Sequence, residues 1–326
     1  MRAAVCHENG TPDVVRVEEL PSPACGDGEV LVAVEAAAVN FPDVLLVAGQ
    51  YQVSVPTPFV PGSEFAGVVT EVGGGVVDLA VGDRVVGTAM VGAFAGEVVV
   101  PATSVRRVPD SVDLRHAAAF GVAHRTAYHV LRSVAHVQPG EELVVLGAGG
   151  GVGLAAVQLG VLLGATVTAV ASSARKLEVA RANGAARLVE HRSVELRQAL
   201  RESLPGGADV VVDPVGGELA EPALRSLHWG GRFVTVGYAS GTIPRIPLNL
   251  VLLKGIQVLG FQFRDFAEHL PDELARNDAE LDALLAEGKV VPHIGASFPL
   301  GEVAAALRLV AEGEAVGKVV LDVAAG

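Results

Sequence analysis

Four apolar residues, Leu143-Val144-Val145-Leu146, run into the glycine-rich stretch Gly147-Ala148-Gly149-Gly150-Gly151 and then into Val152 to Leu159. Few local structures accept that order. The apolar run suits an interior parallel strand. The Ala- and Leu-rich segment suits a helix with no breaker before Gly160. A tight glycine turn must join them, leaving bare backbone N–H groups at a helix N-terminus, where the helix dipole also favours an anion. The pattern G-x-G-x-x-G is met as Ala148-x-Gly150-x-x-Gly153, with Ala in the first place. Gly150 would let backbone approach a pyrophosphate, and Gly153 would let the helix pack close to the sheet. Gly-rich turns also occur where nothing binds, but the flanking strand and helix are the context the pattern demands. Gly149, Gly150, Gly151 and Val152 are the candidate cradle.

Around this turn the 326 residues divide by texture. Up to about Phe120 short strands alternate with turns: Gly28–Ala36, Phe65–Gly73, Val81–Gly87 and Gly96–Val100. That spacing indicates a small barrel or sandwich. At Asp113, a plausible cap, the texture changes to helices over Asp113–Phe120 and Thr126–Val134. Strands and helices then alternate: Thr166–Ala171, Ala174–Asn183, Arg187–Glu190, Val194–Ser203, Asp209–Asp213, Arg232–Gly237 and Ile256–Gly260. Such a rhythm means a doubly wound parallel sheet. Two amphipathic helices, Asp272–Glu287 and Gly301–Glu312, follow, and a last strand, Lys318–Val323, is expected to return to the first sheet. Half of the residues are hydrophobic, enough for two cores. The net charge of −13 would repel a phosphate backbone, so no nucleic acid is expected as the main partner. Cys6 and Cys25 have no metal or redox spacing, as in a reduced, cytoplasmic protein. The start reads as a strand and not as a signal peptide, and no apolar run approaches a membrane helix.

An ordered series of motifs runs through nearly the whole chain: Ala38-Val39-Asn40-Phe41-Pro42-Asp43, Pro61-Gly62-Ser63-Glu64-Phe65-Ala66-Gly67, Gly82-Asp83-Arg84-Val85, Thr126-Ala127-Tyr128, Gly149–Gly153, Asp213-Pro214-Val215-Gly216-Gly217, Gly230-Gly231-Arg232 and Gly317-Lys318-Val319-Val320. In these the chain resembles the medium-chain dehydrogenase/reductase superfamily, in particular its zinc-free quinone oxidoreductase (zeta-crystallin-like) branch. The resemblance implies an α/β chain with a GroES-like β-barrel domain, residues 1–121 and 262–326, and a Rossmann domain, residues 122–261, with the active site in the cleft between them. It also implies NADPH as hydride donor and a homodimer.

The residues bear on that cofactor. An NAD-selective Rossmann domain has an acid near the end of its second strand to bond the ribose hydroxyls. Here that strand ends Val170-Ala171-Ser172-Ser173-Ala174-Arg175-Lys176, without an acid. A 2′-phosphate wants hydroxyls and cations, which this loop offers. The resemblance places Lys176 on the phosphate, with Ser172 and Ser173 as hydroxyl donors. Where the family often has a Tyr on the next strand, this chain has His191 followed by Arg192. The alternative is a solvated helix start, although cations are disfavoured there unless an anion is present.

Zinc-dependent relatives carry a Cys and a Gly-His-Glu motif where this chain has Asn40 and Ser63-Glu64, and neither Asn nor Ser is a normal zinc ligand. No metal is expected. Without a Lewis acid, hydrogen-bond donors must meet the developing enolate or hydroquinone oxygen. By resemblance three residues are candidates: Asn40 as a cleft-facing amide, or else a turn residue before Pro42; Tyr51 as a donor in the substrate pocket, or else an aromatic lid; and Thr126 near the nicotinamide, or else a helix cap. Asn40 and Thr126 count as cofactor residues too. Glu64 is a supporting or a structural residue. Gly237, Tyr238, Gly260 and Phe261 lie at strand ends, where ligands bind in such sheets. Phe261 and Phe263 shape a pocket or pack a core. Asn249 and Lys254 fall on a connection read as a dimer element. Lys318 reaches the cleft or is solvated. His124-Arg125 offers a basic group for an acidic substrate such as an acyl-CoA.

The expected activity is NADPH-dependent, zinc-independent reduction of quinones or related conjugated carbonyls. The enzymatic alternative is double-bond reduction of α,β-unsaturated acyl thioesters or aldehydes. The non-enzymatic alternative is an NADPH-binding structural or RNA-binding protein.

Overall fold

Alternating and β-branched runs make most of the first third of the chain strand. In the computed structural model, which describes residues 1–324, these are β1 (Arg2–Cys6), β2 (Val15–Glu19), β3 (Glu29–Val39), β4 (Glu64–Val72), β5 (Arg84–Thr88), β6 (Glu97–Pro101) and β7 (Val105–Arg107). Helix α1 (Phe41–Val47) stands between β3 and β4, and α2 (Leu114–Ala118) follows β7. Asp113 caps α2, its carboxylate accepting from the N–H groups of Arg115 and His116.

The chain continues through α3 (Ala123–His129), β8 (Glu142–Leu146), α4 (Gly151–Leu162), β9 (Thr166–Ala171), α5 (Ala174–Ala182), β10 (Arg187–Glu190), α6 (Leu196–Ser203), β11 (Ala208–Asp213), α7 (Ala220–Ser226), β12 (Leu227–Thr235), α8 (Leu248–Lys254), β13 (Gln257–Gly260), α9 (Phe263–His269) and α10 (Pro271–Ala286). It closes with β14 (Ile294–Pro299), α11 (Val303–Ala311) and β15 (Lys318–Asp322).

Two units result: Met1–Val122 with the chain from Val291 onward, and Ala123–Val290. In the first, β3 does most of the organising. One of its edges carries β4 along its length. The other is shared, β6 pairing with residues 29–33 and β15 with residues 36–39, all antiparallel. Two register shifts against β4 bend the ladder. Val32, Val34, Phe65, Phe94, Val319 and Leu321 fill the interior. The last strand thus does return to the first sheet.

The second unit is a six-stranded sheet in the order β10-β9-β8-β11-β12-β13, every pair parallel. Numbered within the unit this is 3-2-1-4-5-6, the doubly wound order that binds ligands beyond the carboxyl ends of its first and fourth strands. β8 is buried from Leu143 to Leu146, as its unbroken apolar run requires.

Two expectations change. Thr126 does not open a helix: α3 starts at Ala123 and continues past His129 as a wider π turn over Val130–Val134. Residues 262–290, expected with the first domain, belong to the second unit. Their polar side chains explain it, since Asp278, Asn277 and Glu280 of α10 bond Arg125, His129 and Tyr128 of α3.

Candidate functional site

Two assemblies of polar groups stand out, one in each unit. In the first unit, Asn40 precedes α1, and Asp43 is that helix's third residue. The Asp43 carboxylate accepts the Asn40 N–H at 2.7 Å. Antiparallel pairing of β3 with β4 and with β15 sets Ala38 opposite both Glu64 and Val320, and Val39 opposite Val319. Lys318, Glu64 and Asn40 therefore meet. Lys318 Nζ donates to Asn40 Oδ1 at 2.5 Å and to Glu64 Oε1 at 2.7 Å. Asn40 Nδ2 donates to Glu64 Oε1 at 2.9 Å and to Ser63 Oγ at 3.3 Å. The other Glu64 oxygen accepts the Val122 N–H at 2.7 Å.

The group is dry: Asp43 and Glu64 are 0% exposed and Lys318 is 3% exposed. Lys318 is not the solvated strand-end lysine that was one of its two readings. Asn40, expected as a cleft-facing amide, has both ends of that amide engaged inside the unit. Burial pushes the Asp43 carboxyl up to about 7, and Glu64 adds to this, while the Asn40 N–H, Ser63 and Lys318 oppose it. Tyr51 packs half-buried against the same core, and burial and then the Asp43 charge raise its phenol.

In the second unit the glycine turn is built as its residues require. A Cβ on Gly153 would stand 2.1 Å from the Gly147 carbonyl oxygen, so only glycine lets α4 start this close to β8. A Cβ on Gly149 would meet the Lys176 side chain at 2.5 Å. Gly150 is the N-cap of α4, and no side chain caps the N–H groups of the first turn. β9 ends at Ala171. Ser173 caps α5, accepting the Lys176 N–H, and Lys176 Nζ donates to Ser172 Oγ at 3.0 Å. His191 follows β10 and is held below its usual value by burial, then by Arg192 and Lys176. Gly149–Val152, Ser172, Ser173, Lys176 and His191 thus sit at the carboxyl ends of β8, β9 and β10.

Next to the turn, Asp213 ends β11. One of its carboxylate oxygens accepts from the N–H groups of Val215 and Gly216 at 2.8 Å, and burial raises its carboxyl. Gly237 and Tyr238 follow β12, and Gly260 ends β13. Phe261 turns into an aromatic cluster, with ring centroids 6.2 Å from His129 and 5.4 Å from Phe266. That favours core packing over a pocket wall.

Arg125 is not a free basic group. Its guanidinium forks onto Asp278 at 2.7 and 2.5 Å and lies 4.7 Å from the Phe263 ring centroid. The expectation that it reads an acidic substrate is corrected by this pair. Lys254, read as part of a dimer element, turns inward to the Arg225 and Leu227 carbonyls at 2.6 Å each. Asp43, Asp213 and the buried state of Lys318 were missed in the sequence. Asn40-x-x-Asp43 has the spacing at which a helix-start acid bonds back to the cap, and that signal was available for Asp43.

The acid in the first cluster has a measurable consequence. A carboxyl that is neutral up to about 7 when folded and ionises near 3.8 when unfolded stabilises the fold at low pH and loses that contribution as pH rises toward 7. Urea unfolding should therefore show Asp43→Asn gaining on the parent protein by on the order of 3 kcal/mol between pH 5 and pH 8. No change in the difference with pH would mean that Asp43 is ionised throughout.

Comparison with known proteins agrees with this geometry. Two family models match: a zinc-binding dehydrogenase domain over residues 151–277 and an alcohol dehydrogenase GroES-like domain over residues 26–110. The chain is 37% identical over 323 residues to quinone oxidoreductase-like protein 2 of Bos taurus, covering 98% of this chain and 92% of that protein. It is 39% identical over 298 residues to a stretch of the polyketide synthase GfsB of Streptomyces halstedii, 91% of this chain but 5% of that protein. The Escherichia coli quinone oxidoreductase, solved in complex with NADPH, superposes with a TM-score of 0.92 at 27% identity over 99% of this chain and all of that one. One family description names zinc, and the residues here do not fit it. Asn40 and Ser63 are not normal zinc ligands, and Glu64 is engaged by an ammonium that would repel a divalent cation at hydrogen-bond range. Among the described residues no three His, Cys, Asp or Glu side chains gather as a metal site. The chain belongs to the medium-chain dehydrogenase/reductase family, in its quinone oxidoreductase-like branch.

Proposed function

We propose that this chain is an NADPH-dependent, zinc-independent reductase that delivers hydride to quinones or related conjugated carbonyls. The observation that carries the reading is the placing of Lys176. It lies over Gly149 with its ammonium on Ser172, at the end of a strand whose following loop has no acid. A 2′-phosphate is what such a place accepts, and a ribose diol is what it lacks an acid to hold. The uncapped first turn of α4 serves the pyrophosphate. Bound NADPH supplies the hydride. The chain's own part is to bind and orient that cofactor, through Gly149–Val152, Ser172, Ser173, Lys176 and His191, and through strand-end backbone at Gly237, Tyr238, Gly260 and Phe261. Tyr51 is the proposed donor to the acceptor oxygen. Asn40 and Thr126 keep their proposed places beside the nicotinamide.

A second reading, reduction of α,β-unsaturated acyl thioesters or aldehydes, is favoured by the likeness to a stretch of a polyketide synthase. Stopped-flow oxidation of NADPH with a panel of quinones, enones and enoyl-CoA esters separates the two. Fastest turnover is expected with quinones, and NADPH left unconsumed by every acceptor would end the proposal. For cofactor choice, calorimetry on Lys176→Glu is expected to weaken NADPH at least about tenfold more than NADH. Equal weakening of both would remove the argument from the loop.

The proposed homodimer has a surface to explain. Among the described residues β13 ends its sheet with one edge unpaired, and α8, which leads into it, exposes Leu248, Leu252 and Leu253. Trp229 is 78% exposed and Val258 is exposed as well. An open edge with an apolar border is covered by pairing with its own copy. Light scattering is expected to give twice the chain mass and Val258→Lys a monomer; a monomeric parent protein would remove this proposal. The two thiols are unpaired, which accords with a cytoplasmic location, and among the described residues no helix is long and apolar enough to cross a membrane.

A further inference from the structure

We propose that Lys318 is a positioning residue for the reduction: an internal ammonium that fixes the Asn40 carboxamide and the Glu64 carboxylate and, through them, the charge on Asp43 beside Tyr51. The inference rests on the proposed reductase activity and deepens it. Lys318 is 3% exposed, so it acts through its neighbours and not on a substrate.

An ammonium can only donate, so the Asn40 atom 2.5 Å from Lys318 Nζ is the carbonyl oxygen. The amide then has one orientation, with Nδ2 toward Glu64 and Ser63. A side chain without charge at position 318 would free that amide to turn and leave the Glu64 carboxylate buried without its cation.

The cluster holds two carboxyls and one ammonium away from water. Glu64 and Lys318 neutralise each other at 2.7 Å. Asp43 therefore carries the net charge of the group, and burial makes its neutral form the stable one. The groups that face it are Asn40 from the turn into α1, Ser63 and Glu64 from the start of β4, Lys318 from β15, and Tyr51 from the segment after α1. Ionised Asp43 raises the Tyr51 phenol further and makes it a poorer proton donor. Turnover is thus expected to fall as pH rises through about 7, the value to which Asp43 is raised.

The sign of each substitution is fixed by which charge it removes. Lys318 opposes the rise at Asp43, and Glu64 adds to it. In kcat–pH profiles, Lys318→Met should move the alkaline limb to higher pH and Glu64→Gln to lower pH, each by about one unit. Lys318→Arg, which keeps the charge, should leave the limb within a few tenths of a unit. Lys318→Met should also lower kcat at its own optimum about tenfold through the loosened Asn40 amide. Its NADPH affinity by calorimetry should stay within about twofold, because the proposed phosphate contacts are in the other unit. If Lys318→Met only lowers the melting temperature, with kcat and the limb unmoved, Lys318 is structural and the proposal is overturned. Limbs that move in the same direction in Lys318→Met and Glu64→Gln overturn it too. Should Lys318→Met not fold, Lys318→Arg and Glu64→Gln decide by the same signs. If the parent protein binds NADPH but reduces no acceptor, it is the proposed function that fails. In that case the order of the Asp43 carboxyl pKa values, followed by 13C NMR in the same variants, still tests the charge coupling.

Discussion

A charge taken out of water must find its opposite, and in the first unit that demand ties the end of the chain to its beginning. Lys318 lies 278 positions from Asn40 in sequence and 254 from Glu64. The three meet only because β15 pairs with β3 and β3 with β4 in the registers observed. A buried pair of this kind adds little over a well-packed apolar pair, but removing one partner leaves an uncompensated charge that is strongly destabilising. The pair therefore acts against misregister more than it adds stability. A shift by one residue would turn Lys318 to the opposite face of the sheet and strand Glu64 inside. The same registers that close the sheet also orient the Asn40 amide.

The second unit contains the complementary case, and its histidines show the contrast. His228 bonds Asp209 at 2.6 Å, and that carboxylate raises its ring above the usual value. His191, at the end of β10, is lowered by burial and then by Arg192 and Lys176. Like the Arg125–Asp278 and Arg187–Glu142 forks, the His228 pair is charge satisfied within the fold. At His191 the cations Arg192 and Lys176 outweigh the acid Glu190. Accumulated positive charge beside an uncapped helix N-terminus is a recognisable preparation for an anion that the chain itself does not supply.

How far this was legible in the sequence follows from how local each feature is. The turn from β8 to α4, the bounds of β9 and β10, and the loop before Lys176 depend on neighbours within a few residues, and they stand where the sequence reading puts them. The Asn40, Glu64 and Lys318 positions were recognised one at a time, yet their mutual contact depends on strand pairing across the whole chain. Lys318 could therefore be read equally as solvated or as cleft-facing. Arg125 shows the same limit in reverse. As a basic residue beside His124 it looked available, and only the packing of α10 against α3 reveals the forked Asp278 that engages it. Residues 262–290 were assigned to the other unit for the same reason: α9 is short, and the polar anchors of α10 have no local signature.

The balance of charge also bears on what kind of anion such a chain can hold. The net charge is −13, and at physiological salt exposed charges are screened beyond about 8 Å. Within that range the carboxyl ends of β8, β9 and β10 present Lys176, Arg192 and bare helix N–H groups. Outside it an approaching polyanion meets a surface that is acidic on average. A compact ligand whose phosphates all fall within the first range gains the local attraction and little of the repulsion. An extended nucleic acid must lay most of its phosphates on the acidic remainder, and its affinity comes mainly from counterions released by basic residues. The same distribution of charge therefore admits a dinucleotide and works against RNA, which makes the RNA-binding alternative the weaker one.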